Sequence, residues 1–208
     1  MENQSISELS INRVNPCDVD FVAQTLAAAY IEDPVLVWAM PKEATRQADA
    51  EIFFRFLLKR ERSHRREIFA TSDCSAVAVI TQVDQEDQTA KGDPFSLRLL
   101  QREESPVAKY FRWIETFRPD IPHYYLEFIG CLKTQRSKGV GSFLLESLLK
   151  KSDTEGRTFW CWSSNPRNLT FYRRLGFNVC EKLYRDSATP AVTSLIRLPV
   201  VARSLKTQ

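Results

Sequence analysis

The chain has 208 residues, 43% of them apolar, 26% charged and 11% aromatic. That suits one compact domain with a sizeable core. A formal net charge of +3 gives no reason to expect nucleic acid or membrane as a bulk partner.

The opening "MENQSISELSINRVNP" has no basic stretch followed by an apolar run, so no secretory leader is expected. The longest apolar runs, such as "AVAVI" at 76–80, fall far short of the roughly 20 residues that span a bilayer. Cys17, Cys74, Cys131, Cys161 and Cys180 are scattered and lack the CxxC spacing of zinc or redox sites. Cys131 and Cys161 lie inside apolar, strand-like runs. They read as reduced core thiols of a cytoplasmic protein, and no metal is expected.

In chain order, "LSINRVNP" (9–16) alternates as a strand and ends at Pro16. Asp18 is placed to cap a helix that Pro34 ends or bends. Ile52, Phe53, Phe56 and Leu57 recur at helical spacing within a helix from Glu43 to Arg62. Its basic tail, "KRERSHRR" (59–66), reads as a solvated helix end. "EIFAT" and "SAVAVITQV" read as two strands joined by a turn at Ser72–Asp73. A polar loop occupies 84–94, and "PFSLRLLQ" and "PVAKYFRWIETFR" read as helices.

From Pro122 the pattern sharpens. "HYYLEFIGCLK" is a strand, and "GVGSFLLESLLKKS" a helix with Val140, Leu144 and Leu148 on one face. "RTFWCWSS" is a strand whose alternation sends Trp160 and Trp162 to one face and Cys161 to the other. "NPRNLTFYRRLG" is a short helix stopped by Gly176. "FNVCEKLYR" and "VTSLIRLPV" are two last strands, expected to pair antiparallel. Strand and helix alternate in this half, so the fold class is α/β or α+β with a mixed sheet.

The junction "QRSKGVG" (135–141) carries the chemistry. A helix starting after a strand presents unpaired backbone N–H groups and the positive end of its dipole, which together favour an anion. Glycines let the backbone approach a ligand, and Arg136 and Lys138 add charge. A phosphate-binding GxxxxGK[ST] loop is absent. So is the GxGxxG dinucleotide fingerprint, because Leu144 stands where its last glycine would be. On its own the turn reads equally as structural or as an anion site.

The turn has company. "RSKGVG" follows a strand, opens a Leu-rich helix, and precedes "NLTFYRRLGF" by roughly thirty residues. Together these resemble the GNAT superfamily, the Gcn5-related N-acetyltransferases, over about 122–185. Within it the chain looks most like the puromycin N-acetyltransferase-like group.

The resemblance implies a mixed, mostly antiparallel sheet of about seven strands with helices on both faces. It implies a single acetyltransferase domain over 1–208, with the cofactor core at 122–185 and acceptor-side helices and a variable insert at 17–120. Acetyl-CoA is the implied donor, with no metal. Ile129, Gly130 and Cys131 would offer backbone groups to its pantetheine arm. The N–H groups of Arg136, Ser137, Lys138, Gly139, Val140, Gly141 and Ser142 would hold its pyrophosphate.

Acetyl transfer by direct attack needs a neutral amine, a polarised thioester and a proton for the departing thiolate. Tyr172 matches the family tyrosine that serves the CoA sulfur, and a phenol's pKa of about 10 suits that transfer. Asn168 matches a family cofactor contact and could instead cap its helix. Glu127, in an apolar strand, is the expected base, with an ion pair to an Arg as the alternative. His123 is a lesser candidate for that role. Tyr30, Asp33 and Trp38 lie where the family lines its acceptor pocket, or in the core.

The implied acceptor is a small-molecule amine. The alternatives are a protein acetyltransferase and a non-catalytic acyl-CoA sensor. A homodimer is left open.

Overall fold

The computed structural model describes residues 8–15, 18–59, 65–84 and 106–200. The expected helix "PFSLRLLQ", most of the polar loop, most of the basic stretch after Lys59, and Cys17 lie outside the described residues.

The elements are β1 (Ile11–Arg13), α1 (Asp20–Tyr30), α2 (Pro34–Ala39), α3 (Glu43–Lys59), β2 (Arg66–Thr71) and β3 (Ala76–Val83). Then follow α4 (Pro106–Glu115), β4 (His123–Cys131), α5 (Val140–Thr154), β5 (Thr158–Ser163), α6 (Leu169–Arg174), β6 (Asn178–Leu183) and β7 (Val192–Arg197). Short 3-10 turns precede α5 (Lys133–Gln135) and α6 (Pro166–Asn168). The strands form one seven-stranded sheet in the order β1-β2-β3-β4-β5-β7-β6. Every pairing is antiparallel except β4 with β5.

Two layers of helix cover the sheet. One core joins α1 and α3 to β2, β3 and β4 through Val22, Leu26, Phe54, Leu57, Val77, Val79 and Phe128. The other joins α5 and α6 to the opposite face through Leu144, Leu145, Leu148, Tyr172, Ala78, Leu126, Phe159 and Cys161. The expected split of "WCW" holds: Trp160 packs with Val83 and Tyr125, while Cys161 joins the α5 side. Each fully buried Leu or Phe contributes about 1.5–3 kcal/mol. α1 lies close enough to β4 that a Cβ on Gly130 would come within 2.9 Å of the Ala29 side chain.

Three expectations are corrected. Pro34 does not merely end a helix. It opens α2 at its first turn, where its missing N–H costs nothing, with Asp33 as the cap. α1 begins after Val19 without a side-chain cap, so Asp18 does not cap it. Asn168 makes no capping bond either; Asn165 Oδ1 does, accepting from the Arg167 N–H at 3.1 Å. Gly176 ends α6 in the left-handed region as expected, at φ 82°. No helix among the described residues is long and apolar enough to cross a membrane.

Candidate active site

β4 and β5 part company early. They pair only at His123–Thr158, Tyr124–Phe159 and Tyr125–Trp160. From Leu126 onward β4 has no β5 partner, so the sheet opens into a cleft with backbone groups along one wall. Opposite, the β3–β4 register slips: Val79 faces Phe128 and Ile80 faces Leu126, which leaves Glu127 as the extra residue of a bulge. A bulge bends its strand and turns one side chain out of register. It sits where the cleft begins.

Past the cleft the chain turns into α5. Ser137 and Gly139 both adopt left-handed φ, 62° and 84°. Gly139 is the N-cap residue of α5, with no side-chain cap. Its glycine relieves the Cβ penalty of that conformation. Gly141 has ordinary φ, and a Cβ there would meet only Phe171, at 3.8 Å. The first-turn N–H groups of α5, from Val140, Gly141 and Ser142, lack intrahelical partners by position. The Arg136 side chain turns the other way. Its Nη2 donates to Ala29 O at 2.7 Å and its Nε to Cys131 O at 3.3 Å, tying α1 to β4. Its N–H closes the 3-10 turn on Lys133 O at 3.4 Å. Lys138 is exposed. This cradle fits a pantetheine-pyrophosphate group: a strand edge that β5 does not cover, then a left-handed turn, then a helix N-terminus.

Four polar side chains come from the elements around the place where the strands separate: Tyr172 and Cys161 are buried, Tyr30 and Asp33 half-buried. The Tyr30 hydroxyl, from the α1 face, accepts the Ile129 N–H at 3.3 Å, taking up an edge group that β5 leaves free. Asp33 follows at the α1–α2 corner. Its Oδ1 caps α2, accepting from Val35 N at 2.9 Å and Leu36 N at 3.4 Å. Its Oδ2 accepts from Ser164 Oγ at 2.6 Å, at the end of β5. From the α6 face come Tyr172 and Cys161. Burial pushes the Tyr172 phenol well above its usual range, and the Asp33 carboxylate pushes the same way. Burial likewise raises the Cys161 thiol, with Cys180 adding to it. Tyr172 therefore keeps its proton at neutral pH, and Cys161 is a thiol, unsuited to attack as a thiolate. Burial raises the Asp33 carboxyl, against the bonds from Ser164, Val35 and Leu36 that favour its charge.

Glu127, the expected base, has two side-chain partners. Arg66 Nη2 pairs with its Oε2 at 2.7 Å, with side chains only 6% and 1% exposed. Thr81 Oγ1 donates to its Oε1. Arg66 also donates to Leu57 O of α3 at 2.8 Å. This is the alternative of an ion pair with an Arg. His123 is fully buried at the paired end of β4, with Nδ1 2.6 Å from Ile121 O. Burial pushes it down to about 4. It lies outside the cleft. Asn168 is exposed at the start of α6.

Aromatic rings gather around α1, α2 and α4. Trp38 stacks on Tyr110 at 5.1 Å, and Phe111 meets Trp162 at 6.0 Å. Tyr30 packs on Phe54 and Phe128. Sequence reasoning missed Arg66, Thr81, Ser164 and the aromatic face of α4. The pair of serines closing "WCWSS" was the available sign of a polar strand end.

Residues 82–177, from the end of β3 past α6, match the model of the Acetyltransferase (GNAT) family. The fold is the GNAT fold. A protein titled histone acetyltransferase HPA2 and related acetyltransferase, from Corynebacterium glutamicum, superposes with a TM-score of 0.69 at 19% identity, covering 92% of this chain and 97% of that one. The Drosophila melanogaster polyamine N-acetyltransferase gives 0.66 at 12% identity, covering 92% and 100%. A mosquito arylalkylamine N-acetyltransferase-like protein gives 0.64 at 12% identity, with the same coverage. At such identities these GNAT structures share an architecture with this chain. Its cleft lies between the two parallel strands of that architecture.

Proposed function

We propose that this protein is an acetyl-CoA-dependent N-acetyltransferase acting on a small-molecule amine by direct attack. The observation that carries the reading is the parting of β4 and β5 beyond Tyr125–Trp160, with the Tyr30 hydroxyl on the Ile129 N–H of β4 and Asp33 bound by Ser164 at the end of β5. Ile129, Gly130 and Cys131 would line the pantetheine arm, and Ser137 to Ser142 the pyrophosphate. Asn168 is assigned a cofactor contact at the rim. The small-amine acceptor is supported by neighbours that act on arylalkylamines and polyamines. It is also supported by the sequence likeness to the puromycin N-acetyltransferase group. The cysteines among the described residues that stand unpaired support a cytoplasmic location.

Acetyl-CoA supplies an acyl carbon activated by a thiolate leaving group. The amine nitrogen forms the new C–N bond as the C–S bond breaks, and one proton must leave nitrogen while one reaches sulfur. Tyr172, a neutral phenol, supplies the proton to sulfur. We assign the proton from nitrogen to Asp33. Burial raises its carboxyl, and its partners are neutral donors. Glu127 is held by Arg66 and Thr81, and its assigned part is to hold the bulge. In a thiol-release assay with amine and acetyl-CoA, Tyr172→Phe should lower kcat about 10²-fold. Unchanged turnover in that variant removes the role.

A further inference from the structure

Beside Asp33 the chain builds an apolar cavity of about 100 Å³ that no part of the acetyl-transfer reading uses. Its walls are Val35, Leu36, Ala39 and Met40 on one side of α2, Phe53 of α3, and Val107 and Phe111 of α4. Two observations attach it to the carboxylate. Val35 and Leu36, the first cavity residues, are the ones whose N–H groups Asp33 binds. Asp33 also lies close enough to Tyr110 to raise its phenol, second to burial, and the Tyr110 ring meets Phe111 at 5.9 Å. Asp33 thus stands beside a hollow whose described lining holds no charge.

We infer that the acceptor is a monoamine with a compact apolar group, its nitrogen at Asp33 and its apolar group against α2, α3 and α4. This rests on the acetyl-transfer reading above and narrows it. At about 100 Å³ the cavity is roughly two-thirds the size of an engineered apolar cavity that takes benzene, so it suits a short branched chain or part of one ring. Among the described residues, the cavity lining offers a second cation no counter-charge. The charged group at the far end of α2 is itself cationic: Arg46 donates from Nε to Met40 O at 2.8 Å and from Nη2 to Pro41 O at 3.2 Å. A polyamine or a guanidino-amine would bring its distal charge into an apolar wall and then toward Arg46. Burying such a charge without a partner is costly. Aromatic neighbours at Trp38, Tyr110 and Phe111 favour a flat, apolar group instead.

The test is kcat/KM with acetyl-CoA for 2-phenylethylamine, isoamylamine, agmatine and spermidine. The two apolar monoamines should exceed agmatine and spermidine by at least about tenfold, mostly through KM. Ala39→Leu, which fills the cavity, should cut the ratio of 2-phenylethylamine to agmatine about tenfold, and Met40→Glu should cut it further. Being a ratio within one variant, this readout is insensitive to partial loss of folded protein. Agmatine or spermidine used as well as 2-phenylethylamine, or a ratio unmoved by Ala39→Leu, overturns the inference and leaves acetyl transfer intact. Bound acetyl-CoA with no transfer to any amine overturns both.

Discussion

Ser164 Oγ donates a 2.6 Å hydrogen bond to Asp33 Oδ2, joining the end of β5 to the α1–α2 corner across 131 residues of chain. The bond fixes a carboxylate beside the cleft, while its other oxygen caps α2. Asp33 is thereby both rigid and only partly satisfied by neutral donors. Asp33→Asn keeps the shape and removes the charge. It should lower kcat/KM for the amine about 10²-fold, with Ser164→Ala giving a smaller loss. Steady-state kinetics on the purified variants measure both.

The raised carboxyl of Asp33 has a pH signature. Its ordinary value is 3.8, and burial moves it upward. Activity that needs the ionised form is therefore lost as pH falls through a pKa above 3.8. A kcat/KM profile, corrected for the amine's own ionisation, should show that acid limb in the wild type and lose it in Asp33→Asn. A limb that survives the substitution assigns the proton to another group.

Glu127 and Arg66 form a buried pair, so removing one partner leaves a buried charge alone. Glu127→Gln should cost about 3 kcal/mol of stability, or roughly 10 °C in Tm at this chain length. Well below the new Tm, kcat should stay within about threefold of wild type. A drop of about 10²-fold in kcat with Tm unchanged would make Glu127 the base.

Gly139 and Gly141 differ in why they are glycine. Gly139 sits at φ 84°, so Gly139→Ala strains the turn before any ligand arrives. Gly141 has room for a Cβ in the protein itself. Gly141→Ala should leave Tm unchanged and weaken CoA binding by calorimetry, because the methyl meets the ligand. Lys138→Ala should weaken it less. If Lys138→Ala is the more damaging, side-chain charge rather than backbone approach holds the pyrophosphate.

His123 makes stability acid-sensitive. Buried and neutral, it is pushed from 6.5 down to about 4. The unfolded chain therefore binds a proton first as pH falls, so the contribution is full above pH 6.5 and is lost down to about pH 4. The total is about 3 kcal/mol. His123→Phe keeps a ring against Trp160 and should flatten the slope of Tm between these limits.

The second half of the fold was legible because its periods are clean. β4, α5, β5 and α6 each bury one face or both, and the sequence alternates or repeats to match. The turn before α5 was legible too, since Gly139 answers a local backbone need. The dual role of Asp33 was half legible: "EDPV" carries an N-cap and a proline at the first helical turn, but its bond to Ser164 depends on tertiary placement. The bulge at Glu127 was not legible, because a bulge belongs to the register of two strands. The same holds for its pairing with Arg66, 61 residues away. Asn165, rather than Asn168, caps the turn before α6 because the helix starts one 3-10 turn later than its pattern suggested.

The most direct test of acetyl transfer to a small amine is mass spectrometry of the reaction mixture with acetyl-CoA and 2-phenylethylamine. The account predicts N-acetylated amine in step with released CoA, no acetyl group left on Cys161 or any other residue, and loss of product in Tyr172→Phe. Bound acetyl-CoA with no amide product, or acetyl found on peptide lysines in preference to the amine, would contradict it.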